Sequence, residues 1–193
     1  MISLTSRTWL ARAIARRAAV AALALPMLFP TSAFAANVTP PPMPTKIQAP
    51  AGHVPYVVGH ATGTQNYTCQ LSPNGYAWTL VAPAATLVGD NGQVLTTHYG
   101  GPTWEAKDGS KVVGARVDGE TVNPSAIPWL LLRAASTTAG SDGDRLTHTT
   151  YIQRVNTVGG LAPTGGCDQT TRGASSNVPY AADYYFYKAT GSN

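Results

Sequence analysis

Five dipeptides, Asn74-Gly75, Asn91-Gly92, Asp108-Gly109, Asp118-Gly119 and Asp142-Gly143, punctuate the chain, and they constrain its fold more than any other feature. Asn, Asp and Gly tolerate the positive φ that tight hairpin turns demand. Between them lie short runs rich in β-branched and aromatic residues: Tyr67–Leu71, Tyr76–Val81, Val94–Tyr99 and Lys111–Val117. No stretch after residue 35 carries an apolar helical stripe of about a dozen residues. Short strands joined by tight turns define an all-β fold, expected as a single-domain β-sandwich with a closed β-barrel as the alternative.

Period-two alternation sets the expected faces. In Lys111–Val117 it turns Val113, Ala115 and Val117 inward and leaves Arg116 and Asp118 outward. Arg145–Val155 and Tyr180–Lys188 read as longer strands. In the second, Ala182, Tyr184 and Phe186 share one face, and Asp183, Tyr185 and Tyr187 the other. The run from Ile127 to Leu132 is apolar on both faces. It reads as a buried strand with Pro128 at its start, although six residues do not separate strand from helix by periodicity. Residues 156–178 show no strand pattern and read as a long loop with Cys167 in its middle.

The first 35 residues have the pattern of a cleaved signal peptide. Arg7, Arg12, Arg16 and Arg17 precede an apolar run, and Ala33-Phe34-Ala35 is an A-x-A cleavage site. The run is about a dozen residues, short of the roughly 20 that span a bilayer, so no membrane span is expected after cleavage. Secretion to the periplasm or the exterior follows from this reading. Residues 36–52 hold Pro40, Pro41, Pro42, Pro44 and Pro50, the composition of an extended, solvated arm. The single β domain is expected over residues 53–193.

Four of the thirteen Lys and Arg residues sit in the leader, leaving nine against nine acids. The exported chain is thus near neutral and has no basic cluster, so nucleic acid is not an expected partner. Cys69 and Cys167 are the only thiols. Outside the cytoplasm they are expected to form one disulfide, closing a loop of 98 residues. No two histidines among His53, His60, His98 and His148 have metal-ligand spacing, and no nucleotide or phosphate fingerprint occurs. Neither a metal nor a cofactor is expected, and no nucleophile elbow is present.

The segment His98-Tyr99-Gly100-Gly101-Pro102-Thr103-Trp104, followed by Asp108-Gly109-Ser110, holds chemistry-bearing side chains on rigid turns. It reads either as a tight corner whose Trp104 packs in the core, or as a rim site. In the rim site His98 and Asp108 offer hydrogen bonds, and Tyr99 or Trp104 offers a stacking face.

An ordered series of motifs carries a family resemblance: Tyr67-Thr68-Cys69, Trp78, the His98–Trp104 segment, Asp108-Gly109-Ser110, the Ile127–Leu132 run, Ile152-Gln153-Arg154-Val155-Asn156-Thr157-Val158-Gly159-Gly160, Cys167-Asp168 and Val178-Pro179-Tyr180-Ala181-Ala182-Asp183-Tyr184. Together they resemble the domain of unknown function 3455 family, small secreted proteins of bacteria and fungi, over about His53 to Lys188. The resemblance brings no catalytic residue. It implies that His98, Asp108, Gln153, Arg154 and Asp168 are the places to look for a site. The expected function is a non-catalytic binding or surface-associated domain with a glycan or envelope-component ligand. The alternatives are a structural module for a protein partner, or a hydrolase or metal-assisted enzyme using His98 with Asp108 or Asp168.

Overall fold

The computed structural model describes residues 38–192; the expected signal segment lies outside them. Eight strands follow one another: β1 (His53–Ser72), β2 (Gly75–Val88), β3 (Val94–Tyr99), β4 (Thr103–Ala106), β5 (Lys111–Glu120), β6 (Trp129–Thr138), β7 (Tyr151–Gly159) and β8 (Ser175–Ala189). Each pairs antiparallel with the next, and β1 pairs with β8, so the sheet closes on itself. The all-β expectation holds, and of the two architectures the chain adopts the barrel, not the sandwich. The length of β1 makes closure possible. Its residues from His60 to Ser72 pair with β2, while those from His53 to Thr68 pair with β8. A closed barrel leaves no unpaired edge.

Side chains alternate across each strand, so one set points to the barrel axis. Leu87, Val112, Ile152 and Phe186 fill the axis at one end and are fully buried. Leu146, from the β6–β7 connection, plugs the same cluster. The plug is tied down by the β4–β5 turn. Asp108 accepts the Arg145 backbone N–H at 2.9 Å, and Ser110 Oγ accepts that of Leu146 at 3.1 Å. A Cβ at Gly140 would lie 1.8 Å from the Asp108 carbonyl oxygen, so only glycine lets the two turns meet.

Several sequence expectations change. Asp118-Gly119 is no turn; it lies inside β5, where the register with β6 shifts between Arg116 and Asp118. The faces of β5 are also inverted. Val112 and Gly114 point inward and are buried, whereas Val117 is exposed. Alternation supplies a period but no phase when valines stand on both faces. The expected strand Arg145–Val155 begins only at Tyr151, because its first six residues form the plug and turn. The long loop contracts to residues 160–174, with Asn156 to Gly159 completing β7 and Ser175 to Val178 opening β8. The Ile127–Leu132 run is a strand from Trp129 onward.

The proline arm is packed, not solvated. Val38, Met43 and Ala49 lie on Val155, Tyr185 and Tyr187, on the outer face of β7 and β8, and Ile47 is fully buried. The outward side chains of β8 are too apolar for water, and an extended chain covers them. Gln153 is the clamp. Its Nε2 donates to the Ile47 carbonyl at 2.6 Å, and its Oε1 accepts from the Tyr187 hydroxyl. Replacing it with leucine, similar in size, orphans both partners. Gln153→Leu should cost about 2 kcal/mol of unfolding free energy in a denaturant titration, with earlier proteolytic nicking of the arm. An unchanged midpoint would show that the arm is held by apolar contact alone.

Candidate functional site

On β7 the inward residues are Ile152 and then Arg154; on β8 they are Phe186 and then Tyr184. Moving along the axis in this way leads from the filled end to an unfilled one. There lies a cavity of about 300 Å³. Its walls include Leu80, Val81, Pro83, Leu130 and Leu132. Leu80 and Val81 are also exposed, which marks them as rim. Its polar members are Gln65, His98, Trp104, Arg116, Arg154 and Tyr184.

The β3–β4 hairpin places His98 opposite Trp104. Their rings stack in parallel at 4.2 Å, and the edge of Tyr184 meets both. Gly114 on β5 makes room: a Cβ there would lie 3.0 Å from the Trp104 ring. His98 Nδ1 lies 2.9 Å from the Thr103 carbonyl and must be the donor. Its Nε2 is therefore a bare acceptor, and no protein group among the described residues bonds it. Burial pushes the imidazole down to about 4, against the Thr103 bond and with help from Arg154, so His98 is neutral at pH 7.

Among the described residues three buried side-chain atoms are also unsatisfied, Thr96 Oγ1 away from the cavity and two on residues that line it. Trp104 Nε1 and Gln65 Nε2 are buried without a hydrogen-bond partner. Such groups are uncommon in native interiors, since each costs about 1–3 kcal/mol. Arg154 donates from Nε and Nη2 to the Pro128 carbonyl at 3.1 and 2.8 Å. Arg154 lines the cavity, and its charge opposes the upward push that burial gives the hydroxyls of Tyr67, Tyr180 and Tyr184. Those phenols stay protonated at neutral pH. Arg116 reaches the cavity from β5 and is exposed. Neither arginine pairs with a carboxylate among the described residues, and no Asp or Glu lines the cavity.

Of the residues singled out in the sequence, His98, Trp104 and Arg154 thus converge on the cavity. The other four lie elsewhere. Tyr99 is on the outer face, and its hydroxyl donates to Glu105 Oε2 at 2.7 Å, a bond that holds the Glu105 carboxyl low. Asp108 serves the plug. Burial pushes its carboxyl up, but bonds from Ser110 and Arg145 outweigh this and leave it low. Gln153 faces the arm. Asp168 accepts from the Thr170 hydroxyl and from the backbone of Thr170 and Thr171, bonds that hold it low and shape its own loop. A rim site joining His98, Tyr99, Trp104 and Asp108 is not formed, because Trp104 is 1% exposed and the other two side chains point away from His98.

Gln65, Arg116 and Tyr184 line the cavity but were not singled out. Arg116 carried a misleading signal, since a charge in an alternating strand reads as solvent-facing. Tyr184 was legible as sharing a face with Phe186. Gln65 had no distinguishing mark, for only the register of β1 turns it inward. Among the described residues no group of three or more His, Cys, Asp or Glu side chains is placed to hold a metal ion.

A closed eight-stranded antiparallel barrel with an open-ended internal cavity is the class these features define. Within it, the chain belongs to the family described as "Protein of unknown function (DUF3455)", which matches residues 50–95 and 88–188. No curated protein and no solved structure matches the chain.

Proposed function

We propose that the protein binds a small, largely apolar molecule inside the barrel and works outside the cytoplasm. The observation that carries this reading is the gap in the interior beside His98 and Trp104. A barrel of eight strands can fill its axis with side chains or hold one small ligand, and this chain does the first at one end and leaves space at the other. Apolar walls with a few convergent polar groups are the usual make-up of a ligand pocket. The disulfide between Cys69 and Cys167 supports an oxidising compartment.

The geometry favours an enclosed ligand over a sugar stacked on the surface, because Trp104 presents no exposed face. It also gives no support to hydrolysis by His98 with Asp108 or Asp168, since each carboxylate is engaged in its own turn.

Thermal unfolding against neutral aromatic probes such as benzyl alcohol and indole tests the reading. A ligand confined to the native state adds about 2.7 kcal/mol at one hundred times its dissociation constant. Leu130→Trp, which projects a larger ring into the open space, should keep the fold and abolish the shift. Equal shifts in the variant and the parent would place binding elsewhere, and the reading would fall.

A further inference from the structure

We infer that the cavity is built for a small carboxylate, an anionic head on a compact apolar body; this rests on the proposal that the cavity binds a ligand at all. The argument is an imbalance of hydrogen-bonding groups. Trp104 Nε1–H and the Gln65 amide N–H belong to residues of the wall but are sealed from the open space, so the groups that face a ligand are the guanidiniums. Arg154 spends two of its N–H groups on one backbone carbonyl and has no anion beside it, and Arg116 adds a second unpaired cation at the cavity. Among the described residues no acidic side chain lines the space. A half-buried guanidinium without a counter-charge is destabilising, and an anion that enters relieves it.

A ligand rich in acceptors answers the two guanidinium groups, and a carboxylate answers them best. It carries two oxygens with about four acceptor sites, and arginine binds it bidentately. The head is a carboxylate in preference to a larger anion because the space is small. At about 30 Å³ per water, 300 Å³ is the room of about ten waters. Much of the wall is leucine, valine and proline, so the remainder of the ligand is apolar. His98 fits this picture as a neutral neighbour: its bare Nε2 accepts a hydroxyl or a water beside the head and brings no second charge.

The experiment compares benzoate with its neutral isostere benzamide and with benzyl alcohol, by calorimetric titration of the disulfide-intact protein at pH 7.5. NMR shifts of the Trp104 and His98 ring signals report the site. Benzoate should bind at least about tenfold more tightly than benzamide, the scale of a charge-assisted over a neutral contact. Its affinity should fall as salt rises. Arg116→Met, at an exposed position, should weaken benzoate by about tenfold and benzyl alcohol by much less, so that the benzoate preference is lost. Arg154→Met should do the same, but it also frees the Pro128 carbonyl, so Arg116→Met remains decisive if that variant fails to fold. Benzamide or benzyl alcohol binding as tightly as benzoate, or benzoate unaffected by Arg116→Met, would overturn the carboxylate assignment and leave the cavity reading standing. No binding of any probe would overturn the cavity reading as well.

Discussion

Replacing Cys69 and Cys167 together with alanine should lower the unfolding free energy by about 4–5 kcal/mol, the value the chain-entropy argument gives for a loop of 98 residues. The bond ties β1 to the loop over residues 160–174. Cys69 is fully buried, and its backbone also bonds Gly173 and Ala174, while Trp78 Nε1 donates to the Gly165 carbonyl at 2.8 Å. These bonds survive in the variant, so the native barrel should persist and the effect should lie mainly in a freer unfolded chain. That origin has its own signature. The dependence of stability on denaturant should steepen, because the uncrosslinked chain exposes more surface on unfolding. A loss under about 1 kcal/mol, with unchanged slope, would mean that the unfolded chain is already compact around this loop.

Acid should destabilise the protein through His98 by about 3 kcal/mol between pH 6.5 and 4. The folded-state value of about 4 lies below the ordinary value of 6.5, so the unfolded chain takes up the proton first as pH falls. Stability from the neutral imidazole is complete above pH 6.5, is lost as pH falls, and changes no further below about 4. His60 acts with the opposite sign. Bonds to Asp90 and then Asp183 raise its value, so its contribution is present below 6.5 and disappears only as pH rises through that raised value. The carboxylates held low, Glu105, Asp108 and Asp168, lose their contributions as pH falls below their ordinary range near 4. The window between 4 and 6.5 therefore belongs largely to His98. Denaturant titrations across it should show a stability slope in the parent that is flattened in His98→Gln. An equally steep slope in that variant would assign the acid sensitivity to other groups. Because the same imidazole lines the cavity, a bound ligand that accepts or donates at Nε2 should move this titration too.

Much of the molecule was legible in the sequence for local reasons. Turn dipeptides act through a tolerance of positive φ, which is a property of the residues themselves; four of the five mark connections between strands, and Gly75, Gly92 and Gly109 do so at positive φ. Ala182, Tyr184 and Phe186 showed that they share a face through period-two alternation, but with tyrosines on both faces of β8 the inward one was fixed only by the barrel. The disulfide followed from number and an expected compartment, since outside the cytoplasm the chain's two thiols have only each other. The tertiary structure decided the rest. Pairing of β1 with β8 joins segments more than a hundred residues apart, and no local pattern encodes whether a sheet closes. The phase of β5 was hidden by valines on both faces, and with it the inward course of Arg116. Neighbours Gln153 and Arg154 carry the same kind of polarity in the sequence. Strand geometry sends one under the proline arm and the other into the cavity. Interior polar residues are indistinguishable from surface ones until the register is known, and the register is set by the closed barrel as a whole.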